Sequence, residues 1–196
     1  MSIVNLVSGG IDSTLISVMM NEEGIDIFPL FINYGQKALQ NEWEACEGLH
    51  KRLGLPAPVK MDIFGFGNII LSGLTSIEKN VKIDAFTPGR NLLFLTMASA
   101  YAFQVGASAV SIGLLDERYS LFPDQKQDFI QNAERTIELA MERTIHIVTP
   151  LSEFSKLDVV SLARERGIIG TYSCHTGQEV PCGKCISCLE LQGAKS

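Results

Sequence analysis

The chain has 196 residues, of which 46% are hydrophobic and 19% charged, and it carries a net charge of −6. A chain of that size and composition folds around a sizeable core and is not a disordered tail. The acidic balance excludes a broad electrostatic footprint for DNA or RNA, so no nucleic-acid partner is expected. It leaves room for a small anion held by backbone N–H groups and one or two cations.

Residues 3–7 are an apolar, strand-like run with no basic region or cleavage site ahead of them. A helical pattern follows over 13–23, with Leu15, Ile16, Met19 and Met20 on one face, then a second strand over 26–32. Residues 37–53 read as a helix, with Trp43, Cys46, Leu49, His50 and Leu53 near helical spacing, and 59–63 as a third strand. Residues 64–88 are long, Gly-rich and weakly patterned, which predicts either a flexible lid or an irregular excursion.

The stretch 92–115 carries no charge and imitates a membrane span. Its polar interruptions and its change of period read instead as a buried helix over 91–104, a stop at Gly106 and a buried strand over 109–114. With no leader and no span, no membrane partner is expected and the expected compartment is the cytoplasm. A long amphipathic helix over 124–143, a fifth strand over 145–148 and a helix over 156–166 ended by Gly167 complete the alternation. The tail after Tyr172 shows no apolar periodicity.

Strands separated by helices predict an α/β fold, a five-stranded parallel, doubly wound sheet covered on both faces. Ligands in such sheets sit beyond the carboxyl ends of the strands. The turns beginning at Ser8, Asn33, Asp62, Leu115 and Thr149 are therefore where chemistry is expected.

The first of these turns is the most informative. Ser8-Gly9-Gly10-Ile11-Asp12-Ser13-Thr14 joins a strand to a helix. Two glycines let the backbone approach an anion, the helix N-terminus offers unpaired N–H groups, and three hydroxyls add donors. Asp12 suits phosphate only as a helix cap or as a ligand of Mg²⁺. The string is neither a Walker A loop nor a dinucleotide fingerprint. It resembles the pyrophosphatase loop of the adenine-nucleotide α-hydrolase (HUP-like) superfamily. That resemblance implies ATP cleavage at the α-phosphate, with Val7, Ser8, Gly9, Gly10, Ile11, Asp12, Ser13 and Thr14 around the nucleotide and adenylation of a carboxylate, amide or carbonyl oxygen.

Cys174, Cys182, Cys185 and Cys188 cluster in the last quarter of the chain. Four thiolates at these spacings suit a closed tetrahedral Zn²⁺ site that pins a tail lacking a core. A redox CxxC pair and an iron–sulfur cluster are the competing readings. Cys46, on an apolar helix face, reads as core, and His50 and His146 as structural.

Taken together, SGGIDST at 8–14, Asn33-Tyr34-Gly35-Gln36, Pro88-Gly89-Arg90-Asn91-Leu92-Leu93-Phe94-Leu95, Phe122-Pro123-Asp124, Thr149-Pro150-Leu151 with Lys156, and the Ser173-Cys174 and CGxCxxC tail resemble the 7-cyano-7-deazaguanine synthase (QueC) family nearly end to end. The resemblance implies an ATP-dependent carbon–nitrogen ligase. It adenylates the carboxylate of 7-carboxy-7-deazaguanine for attack by ammonia, giving an amide and then a nitrile, with ATP, Mg²⁺ and Zn²⁺ as cofactors. It implies a catalytic set of Asp12, Ser13, Arg90 and Lys156, and a substrate pocket of Tyr34, Gln36, Arg90, Asn91, Phe122 and Asp124. Residues 1–170 would form the catalytic domain and 171–196 a zinc tail packed on it, in a homodimer.

Bland readings stand beside several of these assignments. Arg90 and Lys156 can be surface cations, Asp124 a helix cap, and Tyr34 and Gln36 loop packing. The chain also departs from the family pattern. After Gln36 the family's Arg-His and nearby Glu are Lys37, Ala38 and Asn41. Arg118, Leu121 and Gln125 replace an acid, a Gly and a Cys, and Leu191 replaces an Arg. Such changes suit a paralogue that keeps the activation step and alters the acceptor. A protein amine acceptor in an antiviral system and a tRNA-modifying enzyme are the alternatives.

Overall fold

The computed structural model describes residues 2–194. Five strands run β1 (Ser2–Val7), β2 (Asp26–Asn33), β3 (Val59–Asp62), β4 (Ala109–Ser111) and β5 (His146–Val148). Seven helices join them: α1 (Ile11–Glu22), α2 (Leu39–Arg52), α3 (Gly65–Ile69), α4 (Arg90–Val105), α5 (Gln127–Met141), α6 (Lys156–Glu165) and α7 (Ile186–Gly193). All pairings are parallel and the sheet order is β3-β2-β1-β4-β5. The α/β, doubly wound architecture read from the sequence is therefore present.

Burial on both faces explains why β1 and β2 read as continuous apolar runs. Val4, Leu6, Leu30 and Ile32 pack with α4 and α5 on one side, through Leu95, Ala98, Ile130 and Ile137. Ile3 and Ile27 pack on the other side with Leu15 and Ile16 of α1, Leu49 of α2, and Val159 and Ala163 of α6. Cys46 lies with Val7 and Phe31 in a small adjoining cluster, as its apolar-face position predicts.

The sheet order reverses between β1 and β4, and a crevice opens there beyond the strand ends. Asn5, fully buried on β1, binds this point together. Its Nδ2 donates to Ser17 Oγ at 2.7 Å and to the Ser13 carbonyl at 3.3 Å, and its Oδ1 accepts from Ser111 Oγ at 2.6 Å. One side chain thus links β1, β4 and α1 immediately below the phosphate turn.

The structure corrects several boundaries. The fourth strand ends at Ser111 and does not reach residue 114, because Ile112, Gly113 and Leu114 leave the sheet to line the crevice. The helix expected from residue 124 begins at Gln127. Pro123–Gln125 forms a separate 3-10 turn, closed by Gln125 Oε1 accepting from the N–H groups of Leu121 and Phe122 at 2.8 and 2.9 Å. The tail, read as lacking pattern, contains α7, whose N-cap is Cys185; Leu191 within it and its C-cap Ala194 pack on the second core cluster.

Residues 64–88 form a largely irregular excursion tied to the body of the protein. Gly67 N–H donates to the Tyr34 carbonyl at 2.8 Å, Lys37 N–H to the Leu74 carbonyl at 2.9 Å, and Ser72 Oγ meets Thr87 Oγ1 at 2.7 Å. The uncharged stretch holds most of α4, closed by Gly106 at φ 75, and then β4. No helix among the described residues is long and apolar enough to cross a membrane.

Candidate active site

A cavity of about 320 Å³ occupies the crevice at the strand-order reversal. That is within the size range of sites for small molecules. The phosphate turn forms its floor. Gly9 takes φ 74 and Gly10 is the N-cap of α1, with no side chain satisfying the first N–H groups of the helix. Those groups and the positive end of the helix dipole face the space where an anion would lie. The hydroxyls are tied into the same turn. Ser13 Oγ accepts from Ser8 N–H at 3.2 Å and lies 3.3 Å from Ser8 Oγ, while Thr14 Oγ1 donates to the Gly10 carbonyl at 2.8 Å.

Asp12 is neither the cap nor free. Lys156 Nζ, at the start of α6, sits 2.7 Å from both of its carboxylate oxygens, and the two side chains are 29% and 13% exposed. Gly113, just past β4, passes close by; a Cβ there would lie 3.4 Å from that of Asp12. Lys156 is thus a member of the site and not a solvated helix residue.

Arg90 opens α4 after the left-handed Gly89 and reaches over the cavity. Its guanidinium carbon lies 5.9 Å from the Tyr34 ring centre and 5.8 Å from that of Phe94. It makes no ion pair among the described residues. Asn91 Oδ1 accepts from Arg90 Nε and Nη2 at 3.4 and 3.3 Å, and its Nδ2 donates to the Asp124 carbonyl at 3.0 Å. Asn91 therefore fixes both Arg90 and the turn that carries Phe122 and Asp124.

Tyr34 is buried, which pushes its hydroxyl up to about 12 despite Arg90 nearby. The side chain of Gln36 is fully engaged within the protein. Its Oε1 accepts from Tyr34 N–H at 2.9 Å, and its Nε2 donates to the Ile32 carbonyl and to Glu42 Oε2 at 3.2 and 3.1 Å. Gln36 shapes the wall, while Tyr34 and Arg90 face the space. Asp124 lies in the 3-10 turn, and the cap of α5 is Lys126, so the capping role does not apply. Burial raises the Asp124 carboxyl above the usual range.

Several lining residues escaped the sequence reading. Phe86 pairs with Phe122 at 5.3 Å between ring centres, forming an aromatic wall. Glu42, His175 and Glu190 also line the cavity. Burial holds the His175 imidazole down at about 4, with Arg90, Lys37 and Lys156 adding to the effect, and its buried Nδ1 has no hydrogen-bond partner among the described residues. Burial also raises Glu190, which faces Lys156 and Asp12.

The residues at which the sequence departs from the pattern fall unevenly around this space. Leu121 and Gln125 line the cavity, whereas Arg118 is exposed and paired with Asp116.

The tail closes the site from the side. Tyr172 N–H donates to the Gly9 carbonyl at 2.9 Å, and Asn41 Nδ2 donates to the Gly177 carbonyl at 3.0 Å. Beyond it, the four sulfurs of Cys174, Cys182, Cys185 and Cys188 all lie within 4.8 Å of one another. Tetrahedral Zn–S bonds of about 2.3 Å need sulfurs about 3.8 Å apart, so the cluster fits that ion. The knuckle is already folded for it. The N–H groups of Cys182, Cys185 and Cys188 donate to the sulfurs of Cys174, Cys182 and Cys185 at 3.3, 3.4 and 3.5 Å.

Comparison with known proteins identifies the family. The family model described as "Queuosine biosynthesis protein QueC" matches residues 2–194. A 7-cyano-7-deazaguanine synthase of Campylobacter concisus (strain 13826) is 34% identical over 205 residues, spanning 98% of this chain and 93% of that protein. The protein of the same name from Campylobacter curvus (strain 525.92) is 36% identical, spanning 97% and 91%. The one from Picrophilus torridus is 32% identical, spanning 95% and 83%.

Two solved structures share the fold. The protein described as the predicted subunit of tRNA methyltransferase from Methanocaldococcus jannaschii gives a TM-score of 0.51 at 22% identity, covering 84% of this chain and 75% of its own. The U34-tRNA thiolase NcsA of Methanococcus maripaludis with its [4Fe-4S] cluster gives 0.51 at 14% identity, covering all of this chain and 63% of its own. The end-to-end family match and these relatives place the chain in one family: it belongs to the QueC family of queuosine biosynthesis proteins.

Proposed function

We propose that this chain is an ATP-dependent carbon–nitrogen ligase that adenylates the carboxylate of 7-carboxy-7-deazaguanine and passes the activated acyl group to ammonia. The observation that carries this reading is the convergence of three features on one cavity. They are an uncapped helix N-terminus behind Gly9 and Gly10, the Asp12–Lys156 pair beside it, and an Arg90 guanidinium that ion-pairs with no carboxylate among the described residues.

Each feature answers a chemical need. A carboxylate is a poor electrophile until its oxygen becomes a leaving group. In the first step one substrate carboxylate oxygen attacks the α-phosphorus of ATP, the bond to the bridging oxygen breaks, and pyrophosphate departs with the electron pair. The α1 N–H groups and the hydroxyls of Ser8 and Ser13 hold the pyrophosphate. Lys156, bound to Asp12, is the cation for charge building on the α-phosphate. Mg²⁺ accompanying the nucleotide would need only one or two carboxylates, and Asp12, on the turn itself, would supply one while keeping Lys156 beside it. Arg90 is placed to hold the substrate carboxylate by paired N–H bonds, and the Phe86–Phe122 wall suits a flat heterocycle.

Ammonia then displaces AMP to give the amide; a second ATP adenylates the amide oxygen with release of pyrophosphate, and loss of AMP together with the two N–H protons leaves the nitrile. The tail cysteines would hold Zn²⁺ in a closed site with no position for water, so that ion organises the polypeptide and takes no part in the reaction. Incubation with α-labelled ATP, 7-carboxy-7-deazaguanine and ammonia should yield AMP, pyrophosphate and a heterocycle whose mass is that of the nitrile. Absence of AMP formation dependent on the deazaguanine acid would sink this reading.

A further inference from the structure

Glu42 stands in the cavity, and no step of the activation described above uses it. It belongs to the first turn of α2, which is pressed against the phosphate turn. A Cβ on Gly9 would collide with the Glu42 carbonyl and come within 2.9 Å of Cys46 N. The side chain points into the same space as Arg90, Tyr34, Ser8 and Lys156. Its only hydrogen-bond partner among the described residues is Gln36 Nε2 at 3.1 Å, and Gln36 is held in turn by Tyr34 N–H and the Ile32 carbonyl. The carboxylate is thus fixed from one side and exposed to the cavity on the other.

Four carboxyl groups line this space: Asp12, Glu42, Asp124 and Glu190. Asp12 is occupied by Lys156. Glu190 lies at the same end, facing Lys156 and Asp12. Asp124 lies at the opposite end, beside Phe122 and the aromatic wall. Glu42 borders both the phosphate turn, through Gly9, and Arg90, so it flanks the junction of phosphate and carboxylate where an acyl adenylate places its carbon.

We propose that Glu42 is the general base of the second half-reaction, accepting the proton of the nitrogen nucleophile as nitrogen attacks that carbon. The proposal rests on the adenylation reading above. In balanced form, the lone pair of ammonia forms the C–N bond and one N–H proton passes to the Glu42 carboxylate. The tetrahedral intermediate then breaks its bond to the phosphate oxygen, and AMP leaves with that electron pair. The neutral Glu42 acid afterwards returns its proton to water or to the departing AMP.

The electrostatics agree with the geometry. Burial raises this carboxyl to about 7, while Gln36 and Arg90 pull the other way. The titratable groups around it are Arg90 on α4, Tyr34 after β2, Cys46 on α2 and Tyr172 in the tail. Burial raises Tyr34 and Cys46 to about 12 each and raises Tyr172 as well, so none of these three competes for protons near neutrality. A base whose value lies near the operating pH both accepts and releases protons efficiently.

The test separates the two half-reactions. Carboxylate-dependent exchange of labelled pyrophosphate into ATP reports activation, and amide formation from ammonia reports aminolysis. Glu42→Gln should lower amide formation about 100-fold or more while exchange falls by less than about threefold. In the wild type, amide formation at a fixed concentration of free ammonia should rise with pH as Glu42 ionises around 7, and the variant should lack that limb. Hydroxylamine, a stronger nucleophile that is largely unprotonated at neutral pH, should recover most of the lost turnover. Glu42→Asp, which keeps a carboxyl group, should retain partial aminolysis and covers the case in which the glutamine variant fails to fold.

Equal loss of exchange and aminolysis would overturn the proposal in favour of a structural role, and so would unchanged aminolysis. If the wild type shows no carboxylate-dependent exchange, the adenylation reading itself fails and the proposal falls with it. Normal wild-type exchange with unimpaired Glu42→Gln aminolysis sinks the proposal alone.

Discussion

Lys156 and Asp12 are 144 positions apart in sequence, yet the Lys156 ammonium lies 2.7 Å from both Asp12 carboxylate oxygens at the start of the phosphate-turn helix. The pair joins the first crossover helix to the helix that follows the last strand. It brings a cation to the turn and at the same time neutralises the Asp12 carboxylate there.

If the two residues act as a unit, their losses will not add. Asp12→Asn and Lys156→Met should each lower deazaguanine-dependent AMP formation about 100-fold or more, and the double variant should cost little beyond the worse single one. Both side chains keep some contact with water, so the folded state should lose less than about 2 kcal/mol in either variant. AMP formation and thermal unfolding measured on the four proteins check this. Fully additive losses would show that the pair does not work as one device.

Gly9 is the position where the turn admits no side chain. It takes φ 74, and an added Cβ would meet the Glu42 carbonyl, Cys46 N and, at 3.2 Å, the Ala45 Cβ, while the Gly9 carbonyl accepts from Tyr172 N–H. Gly9→Ala combines a left-handed alanine with a backbone collision and should destabilise the chain by about 3 kcal/mol. Gly24 has φ 67 but nothing near its Cβ position, so Gly24→Ala should cost only about 1 kcal/mol. Denaturant midpoints of the two variants distinguish close packing at the turn from the backbone preference alone.

The sheet was legible because β1 and β2 are central and covered on both faces, which leaves uninterrupted apolar runs. The phosphate turn and the cysteine knuckle were legible because each is local in sequence. The aromatic wall was not. Phe86 lies in a segment without period, and tertiary bonds place it, such as Gly73 N–H to the Asp84 carbonyl and Ser72 to Thr87. Glu42 left a trace that went unread. It stands four and seven residues before Cys46 and Leu49, on the buried side of α2, but counting from Gln36 pointed to Asn41. The helix α7 left no periodic trace because a cysteine caps it and its contacts lie with distant residues.

The cysteine cluster makes the final prediction. Three of its four sulfurs are buried, and the segment that leads into it hydrogen-bonds to the phosphate turn through Tyr172 and Gly9. Without a metal, four thiols close together in a segment with little core of its own have small packing energy, so a bound ion supplies folding free energy directly. The purified chain should contain about one zinc and no iron per molecule. Cys185→Ser should lose the ion and lower the unfolding temperature by more than about 10 °C. Because Tyr172 would no longer be held against Gly9, AMP formation should fall even in the fraction that remains folded. Metal analysis, calorimetry and the AMP assay on one preparation check the three parts together. Stoichiometric iron with visible absorbance would replace zinc with a cluster, and a metal-free chain of unchanged stability would remove the structural role altogether.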